Sequence, residues 1–132
     1  MLRLAAALVL TAVMAADYAP LQGAWKATQL NGAPLAGQGV DLVITITGDK
    51  YTVAQNGAVN ERGAVRIDTT KSPMTMDLLI AEGEGAGSTQ LGVFAVKGDT
   101  MTTVLANPGE TARPTSLAVG AAALHVIAVR QK

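Results

Sequence analysis

Cysteine is absent from the chain. That excludes disulfides, excludes a lipid anchor attached through cysteine, and leaves no thiolate for the usual zinc sites. Aromatic residues are nearly absent too: one tryptophan, two tyrosines and one phenylalanine. A core must therefore be built from Val, Leu, Ile, Met and Ala, which fill narrow spaces well and offer few flat surfaces for stacking a planar ligand. Charge of either sign is in balance, with 10 basic and 10 acidic residues. No basic excess exists to neutralise phosphates, so a nucleic-acid partner is not expected. There is a single histidine, His125.

One apolar run stands out. "MLRLAAALVLTAVMAA" places Arg3 before an apolar stretch from Leu4 to about Ala15, and Val13-Met14-Ala15 suits signal peptidase. The expectation is a secretory signal peptide over residues 1–15 and one domain over residues 16–132. The run is too short for a spanning helix and no second such run follows, so no stable membrane span is expected after cleavage. The destination would be the periplasm or the medium.

The remainder reads as strands. "VDLVITIT" sets Val40, Leu42, Ile44 and Ile46 on one face, a period of two. Gly48-Asp49 then suits a two-residue type II′ turn, which pairs Ile46 with Tyr51 and Ile44 with Val53. Gly98-Asp99 repeats the device, pairing Val96 with Met101 and Phe94 with Thr103. Asn56-Gly57 marks a third hairpin. A simple two-residue register there misaligns the apolar faces. A three-residue bulged loop brings Val59, Val65 and Ile67 inward, with Glu61 also inward unless a bulge at Gly63 frees it. "MTMDLLIA" and "ALHVIAV" supply further strands. About eight short strands, joined by Gly- and Pro-punctuated loops at 31–39, 69–73, 82–88 and 107–114, predict an antiparallel up-and-down β-barrel.

The residues also resemble a known family. "LQGAWKATQLNGAPL" begins like lipocalins and other calycins, with Gly23-x-Trp25 on the first strand. "LVITITGDKYTV", "TTKSPMTMDL" and "GVFAVKGDTMTTVLANPGETARPTSL" resemble a lipocalin-like domain family of secreted bacterial proteins, largely planctomycete, to which no function is assigned. The resemblance runs from about Leu21 to Arg130. It implies that Trp25 lies across one barrel end under a basic residue of the last strand, by position Arg130, with Arg113 as the competing partner. Phe94 and Leu117 depart from the family by losing polarity or flat surface in the expected interior.

Catalysis finds little support. His125 lies among apolar residues as an expected surface or interface strand residue, and Ser72, Ser88 and Ser116 lie in or near loops. No nucleophile–base–acid spacing emerges. Glu82 and Glu84 in "EGEGAGST" read as a solvated acidic turn, short of the ligand number calcium needs. No enzyme, metal or cofactor is expected. An eight-stranded barrel is just wide enough to be filled by side chains or to hold one small ligand. The candidate lining is Leu42, Ile44, Tyr51, Val53, Val65, Met76, Leu78, Phe94, Met101 and Thr103. Ala27, Ala95 and Ala128 leave room for either a cavity or tight closure. The expected function is non-catalytic binding of a small apolar molecule by a monomer. The alternative is a protein-interaction or inhibitor module that acts through the barrel loops over a filled core.

Overall fold

The computed structural model describes residues 17–132. The signal segment expected at 1–15 lies outside the described residues. A short 3₁₀ turn, Ala19–Leu21, precedes nine strands. They are β1 (Gly23–Leu30), β2 (Ala33–Pro34), β3 (Leu42–Thr47), β4 (Lys50–Gln55), β5 (Ala58–Asp68), β6 (Met74–Glu82), β7 (Thr89–Lys97), β8 (Thr100–Leu105) and β9 (Leu124–Arg130). From β3 onward each strand pairs antiparallel with the next. β1 pairs with β3 on one side and with β9 on the other. The result is a closed eight-stranded up-and-down barrel, with β2 added as a ninth strand on β1. Among the described residues no helix is long and apolar enough to cross a membrane.

The turns set the register. Gly48 has φ +62° and Asp49 does not share the positive φ, the pattern of a type II′ turn. Thr47 meets Lys50, Ile46 meets Tyr51 and Ile44 meets Val53, as the alternation predicts. Gly98 repeats the device, with Val96 opposite Met101 and Phe94 opposite Thr103. At the third hairpin the structure departs from expectation. Asn56 (φ +51°) and Gly57 (φ +86°) form a two-residue turn, with Gln55 opposite Ala58 and Ala54 opposite Val59. The extra residue sits one step further in, at Asn60, so that Val53 meets Glu61. Val59 therefore points outward and is 44 % exposed, while Val65 and Ile67 point inward, buried in the core. Asn31 and Gly32 make one more hairpin of this kind, which leads into β2 inside what the sequence suggested was loop.

Gly63 does mark a bulge, but in the pairing of β5 with β6, and Glu61 stays inward. A Cβ at Gly63 would run into the Leu79 carbonyl oxygen and come within 2.8 Å of Cε1 of Tyr51. The Tyr51 ring takes that space, opposite Gly63 on the neighbouring strand.

One end of the barrel is stoppered. Trp25 is fully buried and Leu21 nearly so. The indole Nε1 donates to the Leu21 carbonyl at 2.8 Å, which draws the 3₁₀ turn over the opening. Arg130 stands opposite Trp25 on β9, its guanidinium carbon 4.2 Å from the ring centroid. The same guanidinium donates to the carbonyls of Pro20 (2.8 Å) and Gln22, and to Asp99 (3.0 Å). Lys132 and then Arg130 hold the Asp99 carboxyl below the usual carboxylate range. Gln22 clasps the β3–β4 turn through both its amide atoms, to the Gly48 carbonyl (2.9 Å) and the Gly48 N–H (2.7 Å). Ala27 and Ala128, buried opposite each other on β1 and β9, set small side chains beside this plug. Ala95 lies between inward Phe94 and Val96, and so faces outward.

The segment between β8 and β9 crosses the outside wall. Pro108 lies near Gly85, and Val119 reaches the Asn31–Gly32 turn. Between them Arg113 donates to Asp77 (2.7 Å) and to the Gly92 carbonyl (2.9 Å). Arg113 is thus a clamp on the β6–β7 wall and has no part in the Trp25 plug. Leu117 belongs to this strap and not to the interior. Outward-facing Val93, Val104 and His125 form a cross-strand row and are 2 %, 0 % and 4 % exposed. His125 is therefore a buried residue of the outer wall, where a surface or interface position was expected.

Arg130→Met keeps an apolar stem but strands the Pro20 and Gln22 carbonyls and loses the ring contact. Stability should fall by about 1–3 kcal/mol, read from urea denaturation; an unchanged midpoint would contradict the role given to Arg130. Among the described residues His125 Nδ1 is buried with no hydrogen-bond partner. His125→Leu should hold or raise the thermal midpoint, because it removes an unsatisfied polar atom. A fall of many degrees would show that the ring makes an interaction not identified.

Candidate functional site

Barrel strands alternate inward and outward, so inward side chains should be buried. Toward the plug most are: Ile46, Val65, Ile67, Phe94, Met101 and Ala128 form one buried cluster with Trp25, while inward Met74 and Val96 are half-buried. Toward the far end burial is uneven: Ile80, Leu105 and Val126 are buried, while other inward apolar side chains are only half-buried. Leu30, Leu42, Ile44, Val53, Leu78 and Leu124 pack against the core cluster yet retain solvent contact. The Ile44–Val53 pair stands one rung inside the Leu42–Gln55 pair at the rim.

The wall itself explains part of this solvent contact. β1 pairs with β3 only from Gly23–Ile46 to Lys26–Val43. Beyond that point β1 takes β2 as a neighbour, and residues 35–41 span the gap. A hollow of about 400 Å³ lies there, lined by Ala27, Thr28, Leu35, Gly37 and Val40 among others. Ala27 belongs to the core and Leu35 packs on it, so the hollow touches the interior.

One polar pair belongs to this chamber. Asn60, as the extra residue of the β5 bulge, places Glu61 opposite Val53 and on its inward face. Tyr51 donates its hydroxyl to Glu61 Oε2 at 2.6 Å. Tyr51 is 2 % exposed. Burial, the hydrogen bond to Glu61 and the Glu61 charge together push its phenol well above the ordinary range. Tyr51 is thus a fixed donor.

All ten residues expected to line the interior do face it. Tyr51, Val65, Met76, Phe94, Met101 and Thr103 are buried; Leu42, Ile44, Val53 and Leu78 are the half-buried ones. The structure thus divides the set into six buried and four half-buried residues. Gly23, Trp25 and Arg130 come together at the plug, where Arg130 packs along Gly23. Sequence reasoning missed Leu30, Leu35 and Leu124. Leu30 sits past a β1 irregularity at Thr28 that resets its face, a shift with no local signature.

Two other hollows exist. A cleft of about 370 Å³ beside the plug is lined by Leu21, Ile67, Met74, Phe94 and Val96, with Asp17 and Arg130 at its edge. A shallow groove of about 600 Å³ runs on the outer wall over Thr52, Ala64, Leu79 and Ala81, flanked by Lys50 and Arg62. Glu82 pairs with Arg62 on this surface at 3.8 Å. Comparison with protein-family models, curated proteins and solved structures finds no match to the chain.

The Tyr51 phenol makes a pH prediction. Its folded pKa is raised, so its contribution is fully present below the unfolded value of about 10 and is lost as pH rises above that. Between pH 10 and 11.5 stability should fall with a contribution of up to about 1.4 kcal/mol per pH unit from this group. Tyr51→Phe should flatten that slope in urea denaturation series; identical slopes in both proteins would refute the assignment.

Proposed function

We propose that this chain is an exported, non-catalytic binding protein that holds a small apolar molecule in the far half of its barrel. The observation that carries the reading is the solvent contact of Ile44, Val53 and Leu78, apolar side chains that face the inside of a closed barrel. Burying such surface under a ligand is favourable in proportion to its area, about 25 cal/mol per Å² before the costs of association. The half-filled geometry suits a compact ligand: packed floor below, aliphatic walls around, and one hydrogen-bonding pair at the side. Arg3 and the apolar run that follows it support export. The Gly23-x-Trp25 pair under Arg130 supports kinship with lipocalin-like barrels. The lone histidine lies buried on the outer wall, away from the chamber, which favours binding over hydrolysis.

Native mass spectrometry of the protein purified from its own host tests this reading. The expected result is a reproducible added mass that is lost on denaturation. A clean apo mass, with no uptake from a mixture of apolar metabolites, would overturn it and turn attention to the outer-wall groove as a protein contact.

A further inference from the structure

Among the described residues Glu61 is the one acidic side chain placed inside the barrel by the pairing register, and its surroundings specify what it lacks. It stands opposite Val53, in the same rung as Ile44, so three of the chamber's neighbouring wall positions read Ile, Val, Glu. None of the ion pairs among the described residues involves it. The nearby cations are on the other face of the same wall. Arg62 follows Glu61 in the strand, faces outward, and pairs with Glu82; Lys50 pairs with Asp49 outside. Tyr51 occupies Oε2, and among the described residues no group hydrogen-bonds Oε1. Oε1 is not buried, so it is left to solvent and free to accept a hydrogen bond from a bound group.

We infer that Glu61 selects the ligand's head group, and that the chamber takes an amphiphile with an aliphatic body and a cationic amine. The inference rests on the binding reading above and deepens it. Leu42, Ile44, Val53 and Leu78 take the body, and Oε1 of Glu61 takes the ammonium. Tyr51 fixes the carboxylate through the other oxygen, so the acceptor is held in place before the ligand arrives. An ammonium head makes a charge-assisted hydrogen bond, about twice as strong as a neutral one. A hydroxyl head makes the neutral bond. A carboxylate head meets like charge.

Isothermal titration calorimetry with three ligands of equal chain length separates these cases: decylamine, decanol and decanoate, each below its micelle concentration, near pH 7. Decylamine should bind about tenfold or more tightly than decanol, roughly the difference one charge-assisted bond makes. Decanoate should bind weakest, and the amine preference should shrink as salt is raised. Glu61→Gln, with an unchanged far-UV circular dichroism spectrum, should bring decylamine to the affinity of decanol and leave decanol unaffected; Glu61→Ala serves if that variant does not fold. Equal binding of all three heads, a carboxylate preference, or an amine preference that survives in the variant would overturn the inference and leave the apolar chamber standing. Failure of all three ligands to bind would overturn the chamber as well.

Discussion

The contact between Trp25 and Arg130 is the constraint on which the rest depends. The two residues are cross-strand partners on β1 and β9, the seam that turns a meander of strands into a barrel. An open sheet leaves two edges of unpaired backbone; closure removes both. Arg130 does three things at that seam. It covers the indole, it gathers the carbonyls of the chain just before β1, and it ties in the β7–β8 turn through Asp99. The largest side chain in the protein stands early in the strand order because that is where a stopper can be pinned by the strand that arrives last.

The far end is built on the opposite terms. No aromatic closes it, and β1 and β3 part company four pairs after their first contact. The loops gathered there carry glycines and prolines, and Leu35 alone folds back onto the core. A chain with so few aromatics has one stopper to spend. Burial is complete at Trp25 and uneven along the rest of the interior. The scarcity of aromatics also gives the proposed binding region its character: aliphatic walls, little stacking surface, and a carboxylate–phenol pair.

Much of this was legible in the alternation of apolar residues. The Gly48-Asp49 and Gly98-Asp99 turns fix register by local geometry, so β3, β4, β7 and β8 and their inward faces could be read directly. Trp25 and Arg130 could be paired only through the resemblance of Gly23-x-Trp25 to lipocalins, because no local pattern links residues so far apart. What eluded the sequence were features set by tertiary contacts. The bulge at Asn60 turned Val59 outward while keeping Val65 and Ile67 inward; two-residue and three-residue turns differ there by where one extra residue is absorbed. His125 is buried on the outer wall, and Arg113 clamps the segment between β8 and β9 through Asp77, a partner 36 positions away. Depth within the barrel was equally hidden. Period two tells which face is inward and says nothing of how far water follows the axis.

The claim that most needs direct measurement is where a ligand sits. Methyl and indole resonances of the labelled protein, followed by nuclear magnetic resonance during titration with decanol, report it residue by residue. The account predicts shifts centred on Leu30, Leu42, Ile44, Val53, Leu78 and Leu124, with the Trp25 indole N–H signal unmoved behind its bond to Leu21. Shifts centred on Ile67, Met74 and Phe94, together with a moving Trp25 signal, would place the ligand beside the plug and contradict it.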